Sequence, residues 1–445
     1  MTDATTRERL LAAVDRLQPE LLRLTADLVG CRTDSQSAGN AEFAGEALRC
    51  RAIAAGWLAG LGLELEQWLE PPRYPVLAAR LPGTGGGRSL AFNGHLDVVP
   101  VGEAAAWSHD PWAGTVDGGR LWGRGATDMK GGVAAALTAV RAVVEAGLRP
   151  AGDLWVHLVA DEEVVGLSTR RLAARLPKVD AVVVAEPTDL RLMPVEGGLV
   201  HFRIEVEGRE SHAGNRYMSV HAGGLGAQGG VNAIEKLLKL VVALQELERQ
   251  WGNLRQHPLL PAGFNSLMPG IVAGGPGGGR DGQLTLVSNP GTCPNYASVE
   301  YNLWFLPGET FEAVRDEVEA HVAALCQTDP WLREHPPRFT WKLRDIYFPA
   351  AETPPGHPFL RVLGEAAAAV GADPAPTAFT AASELAWYAE QGIPGAIFGP
   401  GRIAQAHSPD EYVEVAQLTA AARAMALTAA GWCGGSGRCR SVTDV

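Results

Sequence analysis

The 445-residue chain has no apolar run near the ~20 residues needed to span a bilayer, so a helical membrane anchor is not expected. It has no excess of positive charge. Lys and Arg total 38 against 50 Asp and Glu, a formal net charge of −12, which argues against a nucleic-acid or anionic-membrane surface. It has six cysteines (Cys31, Cys50, Cys293, Cys326, Cys433 and Cys439) and no Cys-x-x-Cys, so neither a zinc ribbon nor a disulfide framework is expected. The thiols are read as reduced. Cys433 and Cys439, in a Gly-rich tail, are the pair where a disulfide or metal clip is compatible. Residues 1–17 are polar and mixed in charge, without the basic stretch and apolar run of a secretory signal, so a cytoplasmic protein is expected. His-Glu-x-x-His, Gly-x-Ser-x-Gly and Walker motifs are all missing, which removes three common hydrolase chemistries.

What is present is an ordinary globular composition, 46% hydrophobic and 20% charged, in a chain long enough for two domains. Apolar β-rich runs at 88–97, 153–160 and 181–185 alternate with helical spacing over 130–145, where Val133, Leu137, Val140 and Val144 recur. That alternation predicts an α/β domain, a mixed central sheet flanked by helices. The pattern changes after Pro194. Strands are predicted at 199–207, 283–288, 298–305 and 338–344, with helices at 231–251 and 310–326. This β-α-β-β-α-β order predicts a ferredoxin-like α+β domain. The Gly-rich stretch 274–279 lacks the Gly-Lys-Ser/Thr ending of a phosphate loop and reads as a hairpin tip. The α/β pattern then resumes. The expected division is a catalytic domain of residues 1–194 and 346–445, interrupted by an inserted domain, 195–345.

Five segments carry side chains suited to chemistry. In Gly94-His95-Leu96-Asp97, residues two apart on an extended backbone point the same way. Asp97 is therefore expected to hydrogen-bond one nitrogen of His95 and turn the other toward a metal. A strand-end His-Asp pair with no metal reads the same way. Gly123-Arg124-Gly125-Ala126-Thr127-Asp128 leads into the helix at 130, so Asp128 is either an N-cap or a carboxylate bridging two metal ions. Asp161-Glu162-Glu163 closes an apolar strand, and neighbouring side chains diverge, so Glu163 can bind a metal while Glu162 faces water. Three acids at a buried strand end are costly without cations, although a solvated loop would also hold them. Glu186 follows the strand at 181–185, and His407 lies in Ala406-His407-Ser408-Pro409-Asp410-Glu411, after Gly399-Pro400-Gly401. The inventory closes at two His, three carboxylates and one spare Glu. Nitrogen and oxygen donors suit zinc, with cobalt, manganese or nickel as alternatives. The histidines at 109, 157, 201, 221, 257, 321, 335 and 357 lack such context and read as structural or surface residues.

In order and spacing this set resembles the family of acetylornithine deacetylase, succinyl-diaminopimelate desuccinylase, aminoacylase and glutamate carboxypeptidase, over nearly the whole chain. The resemblance implies that His95 and Glu186 hold one metal ion, that Glu163 and His407 hold the other, and that Asp128 bridges them. It also implies that Asp97 orients His95, that Glu162 is the general base and that the Asp128–Met129 peptide is cis. The inserted domain becomes a lid and dimerisation domain. Ser211-His212-Ala213 matches the segment whose His reaches a neighbouring active site, making His212 a candidate oxyanion stabiliser.

Two positions depart from the family. The place near the end of a lid strand where carboxylate-gripping relatives have Arg is Trp304 here, and Ser383-Glu384 replaces a Ser/Thr-Asp. The expected function is amide hydrolysis of a small N-acylated substrate, led by an N-acyl amino-acid deacylase. A dipeptidase or carboxypeptidase, or a deformylase of a non-amino-acid amide, stands beside it, the last favoured by Trp304. A non-catalytic ligand-binding relative would not need Glu162. The expected partners are a small-molecule substrate and a second copy of the chain.

Overall fold

The structure is a computed structural model that describes residues 4–35, 41–71, 73–164, 166–221, 226–285 and 290–434. The chain folds as two compact units, Met1–Glu196 with Ala351–Val445, and Gly197–Ala350.

The first unit is built on a six-stranded sheet in the order Glu64–Glu70, Tyr74–Leu81, Leu154–Val159, Leu90–His95, Val182–Val184, Gly395–Ile397. The first two pairings are antiparallel and the remaining three parallel, so the sheet is mixed. The strands Leu90–His95, Leu154–Val159 and Val182–Val184 are buried at every position, which is why they read as continuous apolar runs. Helix Lys130–Glu145 occupies the span its periodicity predicts. Gly132 lets that helix press on the sheet, since a Cβ there would sit 1.9 Å from the Ala185 carbonyl oxygen.

In the second unit four antiparallel strands lie in the order Ser266–Gly275, Tyr296–Phe305, Gly198–Glu207, Arg338–Trp341. Helices Ala233–Leu254 and Phe311–Cys326 bury Leu237, Leu240, Leu244, Val314 and Val318 with Val200, Phe202 and Ile204. Asn232 caps the first helix, accepting from the N–H groups of Ile234 and Glu235, and Thr310 caps the second.

The ferredoxin-like order is observed, but its second strand is not the predicted one. The strand is Ser266–Gly275, and Gln283–Leu284 is half of a small hairpin with Gly279–Arg280; residues 286–289 lie outside the described ones. Pro269 and three glycines make Ser266–Gly275 read as loop. At a sheet edge they are tolerated, and the register slips between Pro269 and Ile271 as a bulge. The strand expected to reach 344 ends at Trp341, because Lys342, Arg344 and Asp345 take positive φ angles. Tyr347–Phe348 still pairs with Gly198–Glu207, whereas Val195–Glu196 pairs with Ala351–Glu352 and Ala378–Phe379. The joints between the units therefore fall at 196/197 and 350/351, not at 194/195 and 345/346.

Candidate metal centre

The donors gather at the carboxyl ends of the parallel strands, where α/β sheets place their sites. His95 ends its strand, Glu162 and Glu163 follow Leu154–Val159, and Glu186 follows Val182–Val184. The Gly399-Pro400-Gly401 turn follows Gly395–Ile397; a Cβ on Gly399 would lie 2.5 Å from the Glu186 carbonyl oxygen.

Asp128 stands at the centre. Its Oδ1 is 3.2 Å from His95 Nε2, and its Oδ2 is 3.3 Å from His407 Nε2. His95 Nε2 also faces Glu186 at 3.5 Å, and His407 Nε2 faces Glu163 at 3.3 Å. Each carboxylate oxygen of Asp128 thus faces one histidine, and each of those histidines also faces one glutamate. His95, Asp128 and Glu163 can bring one donor atom each within 4.8 Å of the others. Glu162 Oε2 is farther out, 4.0 Å from His95 Nε2. The Asp128–Met129 peptide is cis.

Asp97 acts differently from the sequence expectation. Its main-chain carbonyl, 3.0 Å away, is what His95 Nδ1 faces, while its nearer carboxylate oxygen is 3.7 Å off. A carbonyl can only accept, so Nδ1 carries a proton, and Nε2 is the nitrogen turned toward Asp128 and Glu186, where a metal ion would take it as a ligand. The Asp97 carboxylate instead accepts from the N–H groups of Glu162 and Glu163, at 3.3 and 3.0 Å, and so fixes the turn that presents both glutamates. Asp161 accepts from the Ser168 N–H and anchors the next helix, Leu167–Arg175.

Electrostatics give this cluster its character. Burial, with the Asp128 charge beside them, pushes the carboxyls of Glu163 and Glu186 up to about 7. Burial also raises Glu162 well above the usual carboxylate range. For Asp128, burial acts upward, but hydrogen bonds from His407 and His95 outweigh it and hold the group below that range. His407 is raised to about 10 by its hydrogen bonds to Asp128 and Glu163. Glu163 Oε1 is buried with no hydrogen-bond partner. An orphaned carboxylate oxygen, four crowded acids and two imidazoles aimed inward form a donor set that divalent cations fit.

Other residues named from the sequence fall outside this cluster. His212 lies in the second unit; its Nδ1 accepts from the Gly214 N–H at 3.1 Å, so Nε2 carries the proton and is a donor. Trp304, also in the second unit, is half-buried and meets Phe264 edge-on, ring centroids 5.5 Å apart. Glu384 is fully buried. It accepts from the Thr169 hydroxyl and the Asn93 amide, both at 2.9 Å, and burial pushes its carboxyl up to about 8. Cys31, Cys50, Cys293, Cys326 and Cys433 are free thiols, and Cys439 lies outside the described residues, so its pairing with Cys433 is not described. Two residues printed in the motifs but given no role, Arg124 and Glu411, are a buried pair 2.5 Å apart, and Glu411 also accepts from the Thr127 and Asp128 N–H groups.

Comparison with known proteins agrees with this geometry. The model of peptidase family M20/M25/M40 matches residues 91–430. The chain is 32% identical over 440 residues to N-formyl-4-amino-5-aminomethyl-2-methylpyrimidine deformylase of Halalkalibacterium halodurans, covering 96% of this chain and 97% of the relative. It is 26% identical over 407 residues to acetylornithine deacetylase of Proteus mirabilis, covering 89% and 93%. In fold it is similar to a metallo-carboxypeptidase from Sulfolobus solfataricus, at a TM-score of 0.69 and 15% identity, over 92% of this chain and 98% of that one. The match of sequence, fold and clustered donors identifies the chain as a member of peptidase family M20/M25/M40 and as an enzyme that hydrolyses amide bonds.

Proposed function

We propose that this enzyme removes a formyl group from an aminomethyl heteroaromatic amine of the kind named in its full-length relatives, N-formyl-4-amino-5-aminomethyl-2-methylpyrimidine. The observation that carries this reading is Trp304. Where carboxylate-gripping relatives have Arg, this chain has an indole packed on Phe264, and neither strand neighbour, Leu303 nor Phe305, is Arg. Two arginines of the second unit are engaged elsewhere: Arg344 pairs with Glu300 at 2.8 Å, and Arg338 with Glu205 at 2.8 Å. An aromatic ring without a carboxylate suits such a surface better than an amino acid does. Acetylornithine deacetylase supports the second reading, an N-acyl amino-acid deacylase.

In this reading His95 and Glu186 would hold one metal ion and Glu163 and His407 the other, with Asp128 a ligand available to both. Zinc is the first choice by donor type, with cobalt, manganese or nickel as alternatives. Bound ions supply Lewis acidity, lowering the pKa of water and polarising the amide carbonyl. Glu162 accepts the proton of the attacking water as its oxygen bonds to the formyl carbon. It then gives that proton to the leaving nitrogen as the C–N bond breaks, releasing formate and the amine. His212 donates from Nε2 to the developing oxyanion.

The second unit serves as lid and homodimer contact. Ser266–Gly275 is an edge strand with Met268, Ile271 and Val272 exposed, and helix Ala233–Leu254 exposes Leu238 and Val242 one turn apart. A second copy of the chain would cover both. No helix among the described residues is long and apolar enough to cross a membrane, and a cytoplasmic place is part of the proposal.

Formate release from the formylated pyrimidine tests the substrate, measured beside N-acetylornithine, N-succinyl-diaminopimelate and dipeptides. The formylated pyrimidine should have the highest kcat/KM by at least ~10-fold, the discrimination a dedicated pocket supplies. Faster turnover of N-acetylornithine would favour the second reading.

A further inference from the structure

The Arg124–Glu411 pair sits at the junction of the loops that carry the site. Glu411 Oε1 accepts from the N–H groups of Thr127 at 2.9 Å and Asp128 at 3.0 Å, and its Oε2 accepts from Arg124 Nη1 at 2.5 Å. Its own carbonyl accepts from the Gly123 N–H at 2.9 Å. Arg124 donates onward to the Pro100 carbonyl at 3.2 Å and lies over the Trp107 ring at 5.1 Å. The Thr127 hydroxyl donates to the Tyr412 carbonyl at 2.5 Å, and strand Tyr412–Glu414 pairs with Arg120–Trp122 at the entrance to the Asp128 loop. Asp410 adds a further tie, accepting from the Ser108 N–H at 2.7 Å.

Two loops that meet nowhere else in sequence are thus locked to one another. One carries Asp128 and the other, four residues before Glu411, carries His407. Capping two N–H groups needs only a neutral acceptor. A fully buried ion pair is a costly way to do it, because both charges lose their hydration.

We propose that Glu411 is a positioning residue for the metal pair, holding Asp128 and the His407 loop in mutual register through its two N–H contacts and Arg124. This role rests on the two-ion reading of the site. It predicts a graded loss: the ion held by Glu163 and His407 should weaken first, since that site depends on both loops, while the ion at His95 and Glu186 keeps two ligands outside them.

The test is metal affinity of the full chain, by zinc competition with a chromophoric chelator, for wild type, Glu411→Gln and Arg124→Lys, with unfolding of the metal-free proteins followed in parallel. Wild type should take up two ions. Glu411→Gln should lose affinity for one of them by ~10- to 100-fold, as loss of a group supporting a ligand does, at temperatures where the metal-free protein is folded. Arg124→Lys should show the same direction with a smaller change. Should Glu411→Gln not fold, Glu411→Asp carries the measurement, since its shorter arm cannot reach both N–H groups and the guanidinium together. Unchanged affinity for both ions in a folded variant, with only the metal-free unfolding temperature lowered, would overturn the proposal and leave a structural ion pair. A wild type that binds fewer than two ions would instead overturn the site reading on which it rests.

Discussion

The two units of the chain differ in where they concentrate buried acids and exposed apolar surface. The first drives charge into its interior: Asp97, Asp128, Glu186, Glu384 and Glu411 are buried at the ends of strands and helices, and among the described residues Arg124 and Lys130 are the buried Arg and Lys of this unit. The second drives apolar surface outward. Met268, Ile271 and Val272 on its edge strand and Leu238 and Val242 on its long helix are exposed, whereas in the first unit Leu48, Leu69, Val116 and Ile403 are exposed singly along the sequence. Buried anions ask for cations, and an exposed apolar edge asks for another surface. The contrast separates chemistry from assembly, and each half can be broken independently.

The largest effect should come from the acidic pair in the first unit. Glu162→Gln keeps the shape of the side chain but cannot accept a proton, so turnover should fall by ~10²–10⁴ with metal content unchanged. Glu163→Gln removes a charged donor, so one ion should be lost or weakened and activity should fail for that reason. Metal analysis beside amide hydrolysis reads both. Loss of metal from Glu162→Gln with both ions kept by Glu163→Gln would exchange the two roles.

The second unit is tested by mixing two inactive variants, Glu162→Gln and His212→Ala. If His212 serves the partner's site, a mixed dimer has one site with both lesions and one with neither. Random exchange should then restore roughly a quarter of the sites. If His212 serves its own chain, or if the protein is a monomer, no activity returns.

A smaller effect should appear in the pH dependence of the metal-free protein. Glu163 and Glu186, raised by burial and the Asp128 charge to about 7, bind protons more tightly folded than unfolded. Their contribution to stability is complete below the unfolded value near ~4.3 and is lost as pH rises through about 7. His407, raised to about 10 by Asp128 and Glu163, acts in the same sense, since its contribution is present below its unfolded value and is lost as pH rises through about 10. The unfolding temperature of metal-free protein should therefore fall between pH 5 and pH 8. Saturating zinc should flatten the slope. A metal-free protein that gains stability over that window would contradict the electrostatic account.

Legibility in the sequence follows the same division. In the first unit, chemistry restricts residue type at every site position, so His95, Asp128, Glu163, Glu186 and His407 could be named from motifs, and the structure brings them together. Helix Lys130–Glu145 was equally plain, because its larger apolar residues Val133, Leu137, Val140 and Val144 recur at helical spacing among mostly small ones. Backbone contacts were not legible. Nothing in the side-chain pattern says that His95 would face the Asp97 carbonyl and not the carboxylate, or that Glu411 would turn back onto the Asp128 N–H. In the second unit, Ser266–Gly275 was hidden because an edge strand tolerates Pro269 and glycine, the residues that mark loops elsewhere.

The most direct measurement is anomalous diffraction at the zinc absorption edge from crystals of the metal-loaded enzyme. The account predicts two peaks flanking Asp128, ~3.5–4 Å apart. His95 and Glu186 should surround one, Glu163 and His407 the other, and Glu162 should touch neither. A single peak, or a peak with Glu162 among its ligands, would contradict it.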